Sequence, residues 1–256
     1  MKKKFVLFPV LLLLAVFAGA SASPLNEDAD ACWQKGVNAA LLSSDHVPGK
    51  IYLKFERLDG DGKTREKNEM WLELPLGEKD ARLVRALENG KDVTREELEK
   101  ERARKEKSKA KGKSDGENSI NLSSEEIVPL LTNTKKPVAH KYLGREKRNG
   151  VDCLAYEFRK EYLQKRGKKQ GTVIHHGKIW LDAASGMPVE ASYTYDPLPS
   201  MVKQLELNAS FIAHGDKVFI NKHEMVIKAG FLFIKKRFRM NLVLDDYREA
   251  AEKNLE

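Results

Sequence analysis

The side chains best able to do chemistry in this chain are scattered. His175-His176, His214 and His223 are of the type that ligates metals, and Cys32 and Cys153 are the only thiols. Successive residues on a strand point to opposite faces, so His175 and His176 cannot chelate one ion together without a bulge. His214 falls in a turn. Asp245-Asp246 and Glu206 have no partner within reach along the sequence. Asp59-Gly60-Asp61-Gly62 has the look of a calcium loop but lacks the spacing and the closing glutamate of an EF-hand, so it reads as a turn. There is no G-x-S-x-G, H-E-x-x-H, P-loop or G-x-G-x-x-G. No catalytic, metal or cofactor site is expected, and the chain does not read as an enzyme.

The thiols depend on the compartment. Met1-Lys2-Lys3-Lys4 precedes an apolar run from Phe5 to Ala18, followed by the small residues Gly19-Ala20-Ser21-Ala22. This is the pattern of a secretory signal peptide over residues 1–22, cleaved near Ala22 to leave a periplasmic protein beginning near Ser23. The apolar run is shorter than the roughly 20 residues a spanning helix needs. In an oxidising space Cys32 and Cys153 could form one disulfide; two buried free thiols are the alternative. Loss of the three lysines lowers the formal charge from +8 to +5. The excess is local, and nucleic acid is not an expected partner of an exported chain.

The elements that would position a site change character along the chain. Asp28 to Leu42 has helical spacing at Trp33, Val37, Ala40 and Leu41. Ile51, Leu53 and Phe55 alternate with polar residues, and a second run from Glu69 to Leu74 completes a hairpin. Ala81, Leu83, Arg85 and Leu87 fit a strand, and also a short helix. Thr94-x-x-Glu97 reads as a capping box opening a helix. That helix runs into a basic segment with almost no apolar face, a solvated and flexible insert at about 98–122 or else an arm for an anionic membrane surface. Ser123-x-x-Glu126 would cap another short helix through Leu131.

Seven strand-like runs follow: Val138 to Gly144, Val151 to Arg159, Thr172 to Asp182, Pro188 to Tyr195, Val202 to Ala213, Lys217 to Lys228 and Phe231 to Asp246. Short turns such as Arg148-Asn149-Gly150 and His214-Gly215-Asp216 link them, which predicts an antiparallel meander. On the last run Ile234, Phe238, Met240, Leu242 and Leu244 share one face. Leu205, Leu207 and Phe211 do so on another, and Leu154, Tyr156 and Phe158 on a third. The fold class expected is mainly β (α+β): residues 23–256 as a single domain, a curved antiparallel half-barrel sheet closed by a few helices. Those eleven apolar residues would line its concave side.

Ile179-Trp180-Leu181-Asp182-Ala183-Ala184-Ser185-Gly186-Met187-Pro188-Val189 resembles a segment of the outer-membrane lipoprotein-sorting family, the Lol-type periplasmic carriers and their relatives. Asn89-Gly90-Lys91-Asp92-Val93-Thr94-Arg95-Glu96-Glu97 and the strand Phe231 to Arg239 also look like segments of these relatives. The basic insert departs from the carriers. The resemblance implies an apolar cup that holds lipid or lipoprotein acyl chains in lipoprotein sorting or envelope biogenesis. The alternative, as in regulatory relatives, is an envelope interaction or stress-sensing protein whose cup binds a protein partner rather than a lipid.

Overall fold

The computed structural model describes residues 24–78, 80–110, 130–132, 137–166, 169–231 and 234–250. The signal-peptide segment, the part of the basic insert after Ala110 and the helix expected from Ser123 up to residue 129 lie outside them.

Strict alternation in short runs produces strands, and turns rich in Asn and Gly reverse them. The N-terminal part contributes β1 (His46–Leu58), β2 (Thr64–Glu73), β3 (Arg82–Glu88) and the short β4 (Lys91–Asp92). The meander contributes β5 (Ala139–Arg148), β6 (Val151–Arg166), β7 (Lys169–Asp182), β8 (Pro188–Asp196), β9 (Val202–His214), β10 (Lys217–Phe231) and β11 (Ile234–Glu249). Together they form one antiparallel sheet in the order β4-β3-β2-β1-β11-β10-β9-β8-β7-β6-β5. The sheet is not closed; β4 and β5 are its edges. The pairing of β1 with β11, from His46 opposite Glu249 to Leu58 opposite Arg237, joins the N-terminal hairpin to the meander.

β1 begins earlier than the alternation predicts and takes in Pro48. The proline lacks an N–H, but β2 pairing starts only at Lys50, so Pro48 occupies a stretch bonded on one side alone. The Asp59 carboxylate accepts the N–H groups of Asp61 and Lys63, which makes this acidic cluster the expected turn.

Two helices accompany the sheet. α1 (Pro24–Leu42) lies across one face. Its buried side is Ala29, Cys32, Trp33, Ala39 and Ala40, while Leu41 is exposed. Small residues bring the helix close. A Cβ on Gly36 would sit 3.1 Å from the Gly186 carbonyl oxygen. Both ends are tied down: the Tyr156 hydroxyl donates to the Ala29 carbonyl (2.7 Å), and the Val218 N–H donates to Ser43 Oγ (2.8 Å). Trp33 stacks on His140 with ring centroids 4.1 Å apart.

α2 (Thr94–Ala110) packs against β3 and stays helical into the basic segment. The capping box is not made as expected. The Thr94 hydroxyl accepts the Ala86 N–H and donates to the Asp92 carboxylate, and the Glu97 N–H reaches the Val93 carbonyl. Thr94 therefore fastens the helix start to β3.

The disulfide is not formed. Cys153 projects with Ala155 and Trp180 from the face of the sheet opposite α1, while Cys32 sits on α1 against the inner face. Both are buried free thiols, with the sheet between them. Burial pushes both thiols up in pKa, which keeps them protonated and unreactive.

Gly186 ends the turn after β7 with φ near +78°, and a Cβ there would meet Lys35 Cβ at 2.6 Å and the Cys32 carbonyl oxygen at 3.0 Å. Gly186→Ala should therefore cost about 1–3 kcal/mol through backbone strain and a displaced α1. Urea unfolding of the two proteins measures this; equal midpoints would show that α1 does not rest on this turn.

Candidate ligand-binding face

The register carries the alternation of each strand across the whole sheet, so the inner face can be read in rows. Tyr156 is opposite Ile179, Ile179 opposite Ala191, and Ala191 opposite Ala209. The row continues through His223, Leu242 and Leu53. α1 covers this end. Leu154, Tyr156, Phe158, Leu242 and Leu244 are buried in one cluster with Trp33 and Ala40, and Phe211 packs against it. A cavity there, among Ala40, Leu131, Phe211 and Ile220, is about 10 Å³. That is room for one water at most. Here the inner face is filled core.

The next row runs Phe158, Gly177, Tyr193, Leu207, Met225, Met240 and Phe55. Six strand spacings of about 4.8 Å make it about 29 Å long. Gly177 is needed within it, because a Cβ would lie 2.2 Å from the Ser192 carbonyl oxygen. Without a side chain there, the rings of Phe158 and Tyr193 approach to 6.3 Å across β7. Leu207 and Leu205 are buried, whereas Met225, Met240, Phe55, Ile227 and Phe238 are only half-buried. Phe238 lies against Phe55, centroids 5.4 Å apart. Ile234 begins β11 opposite Phe231. Large apolar side chains thus continue along the inner face beyond the filled end.

Phe55, Tyr193, Met225 and Ile227 were not among the expected lining residues. For β10 the obstacle is a bulge between Ile220 and Lys222. A strict period of two from Val218 and Ile220 would turn Lys222 and Glu224 inward; the extra residue turns His223, Met225 and Ile227 inward instead. Phe55 and Tyr193 do alternate visibly, and the aromatic residues of β1 and β8 were the available signal.

Polar groups interrupt the apolar face. The Tyr193 hydroxyl and His223 Nε2 are 3.0 Å apart. His175 faces inward with its ring 5.9 Å from Tyr193 and 5.6 Å from Tyr195. His176, on the opposite face, is 3.0 Å from the Asp196 carboxylate. Burial pushes His223 down to about 4, and burial with the neighbouring Lys160 and His176 pushes His175 down to about 4. Among the described residues no three His, Cys, Asp or Glu side chains are placed to share a metal ion.

The outer face is of another kind. Burial alone would raise the Glu56 carboxyl, yet hydrogen bonds from Lys54 and Thr64 hold it below the usual range, and Arg239 adds its charge. Tyr52 is pushed up to about 12 by burial and by its bond to Glu69. Near β6 the outer Trp180 donates to Glu146 (2.5 Å) beneath the Arg148 guanidinium, 3.7 Å above its ring. These stretches of the outer face are polar and ion-paired, in contrast to the apolar row on the inner one.

No family model and no curated protein matches the chain. Solved structures similar to it include an outer membrane lipoprotein-sorting protein domain from Vibrio parahaemolyticus (14% identity, 88% of this chain and 95% of that one, TM-score 0.32). A DUF1329 family protein from Desulfovibrio piger is similar at 12% identity, over 89% of this chain and 94% of that one, with a TM-score of 0.34. The MucA/MucB complex of Pseudomonas aeruginosa is similar at 8% identity, over 88% and 100%, with a TM-score of 0.23. The first bears the name of the family that the Trp180 and Asn89 segments resemble. TM-scores this low transfer neither ligand nor site residues.

The buried histidines give the fold a pH dependence. His223 has a folded pKa near 4 and an unfolded one near about 6.5. Between those values the unfolded chain binds more protons, so stability present above pH 6.5 is lost as pH falls toward 4. The loss is about 1.4 kcal/mol per pH unit for this residue, or about 2 kcal/mol from pH 6.5 to 5. His223→Asn keeps a polar partner for Tyr193 and cannot titrate there. Thermal melts at pH 7, 6 and 5 should show a smaller fall for the variant; parallel curves would mean His223 is hydrated and titrates freely.

Proposed function

We propose that this is an exported, periplasmic, non-catalytic binding protein that holds lipid or lipoprotein acyl chains on the open part of its inner face. Its setting would be outer-membrane lipoprotein sorting or envelope biogenesis. The observation that carries the reading is the run of half-buried large apolar side chains, Met225, Met240, Phe55, Ile227 and Phe238, continuous with a filled core yet beyond the reach of α1. Such a surface costs free energy while it faces water, and each CH₂ laid against it gains about 0.8 kcal/mol. Chain binding then needs no specific polar contact. The signal-peptide pattern of residues 1–22 supplies the export. α2, with Arg102 and Arg104 exposed, suits contact with an anionic membrane surface.

A second reading has its own support. β5 is a sheet edge over Ala139–Arg148 among the described residues, the kind of edge to which a protein partner can add a strand. An envelope sensor or assembly factor would use that edge together with the apolar face.

Phe238→Asp separates the two. A charge on an open apolar face repels an acyl chain but stays hydrated, whereas the same charge in filled core is unpaired and buried. Phe238→Asp should weaken a fluorescent fatty-acyl probe by about tenfold or more, the worth of roughly two buried CH₂ groups, and still melt cooperatively. Leu244→Asp should fail to fold. A parent protein that binds no probe and releases no lipid on extraction would remove the carrier reading. A Phe238→Asp variant that unfolds would make this a packed core and favour the partner reading.

A further inference from the structure

The outer face carries a cleft of about 330 Å³ where β9, β10, β11 and β1 come together at one end of the sheet. Pockets for small molecules begin at about 300 Å³. The β9–β10 register sets Ile212 beside Phe219 and His214 beside Lys217. Val218 and Ile220 join the core under α1, so by alternation Lys217 and Phe219 stand on the other face. His46 of β1 and Asp245, Asp246 and Tyr247 of β11 complete the lining.

The cleft has an aromatic floor. Phe219 is buried, with the Tyr247 ring stacked on it at 4.4 Å and the His46 ring at 5.4 Å. The Tyr247 hydroxyl donates to the Ile220 carbonyl (2.6 Å). His46 is also buried, and both of its nitrogens are engaged. Lys217 Nζ can only donate, so His46 Nε2 accepts from it at 3.1 Å, and Nδ1 carries the hydrogen that goes to the Asp45 carboxylate. This chain of contacts fixes an ammonium at the cleft and uses one of its three hydrogens.

The β11 side carries carboxylates. Asp245 accepts the Asp246 N–H (2.7 Å), and Asp246 accepts from Arg248 (3.3 Å). Among the described residues Lys217 forms an ion pair with neither aspartate. One cleft thus presents a cation from β10 and anions from β11 over a shared aromatic floor.

We propose that this cleft is a second binding site, separate from the inner face, for a small zwitterion: an amino acid whose carboxylate binds Lys217 and whose ammonium binds Asp245. A lone anion is repelled by Asp245 and Asp246, and a lone cation by Lys217. A molecule with both charges is matched on both sides, which is how such a site discriminates. The proposal does not depend on what the inner face holds.

Isothermal titration at pH 7 tests it with glycine, 4-aminobutyrate and 6-aminohexanoate, which span a range of charge separations, and with butyrate and butylamine as singly charged probes. The best of the three amino acids should bind the parent at least about fivefold more tightly than either singly charged probe. Lys217→Met should bring that amino acid to within about twofold of butylamine, and Asp245→Asn to within about twofold of butyrate. Asp245 is exposed and Lys217 half-buried, so both variants should melt with the parent; should Lys217→Met lose its fold, Asp245→Asn decides alone. A parent that binds no amino acid more tightly than the singly charged probes, or a preference that survives in a folded variant, would overturn the proposal.

Discussion

The pairing of β1 with β11 is the constraint on which the rest of the structure depends. Twelve residue pairs between His46 and Leu58 on one side and Arg237 and Glu249 on the other turn a hairpin and a meander into one sheet. The contact is maximally non-local, so its loop-closure cost must be met by burial. Ile51 opposite Leu244 and Leu53 opposite Leu242 supply that burial on the inner face, and α1 covers the same rows. Without this seam Phe55 and Phe238 would not meet, and the apolar row would stop at β11.

A single helix cannot cover an eleven-stranded sheet. α1 is drawn to one end by small residues, Ala29, Gly36, Ala39 and Ala40, and by hydrogen bonds at Ala29 and Ser43. Close packing there, among the described residues, buries Trp33, Tyr156 and Leu244 in one cluster. The consequence is a division of labour along each strand. Leu244 and Tyr156 stabilise the fold, while Met240, Ile227 and Phe238 remain half-buried a few residues further on. Polar side chains, Tyr193 among them, cross the second region.

Much of this fold was legible in the residues. The alternation and the turn at Arg148-Asn149-Gly150 place the start of β6 at Val151 and the end of β7 at Asp182, but β6 runs on from Arg159 to Arg166 and β7 begins at Lys169 and not Thr172, where charged and polar residues hide the alternation. The filled end was less legible: Leu242 and Leu244 share a face with Phe238, and only the position of α1 separates them. That position is set by Gly36 and by the turn at Gly186, a contact between distant segments that periodicity does not carry. The inward side of β10 was hidden by its bulge. The thiols were undecidable from spacing, since a disulfide across a sheet fails on direction and not on distance along the chain. Lys160 drew no notice because the expected strand ended at Arg159, and β6 continues through it.

The central claim is that one inner face is packed at the α1 end and holds a chain at the other. A lauroyl or palmitoyl probe with a terminal photoactivatable diazirine tests this most directly, with cross-linked residues located by peptide mass spectrometry. The account predicts cross-links to Phe55, Met225, Met240, Ile227 or Phe238, competed by unlabelled acyl chain. Cross-links confined to the α1 end, among Phe211, Leu244 and Trp33, or spread over the outer face without competition, would contradict it.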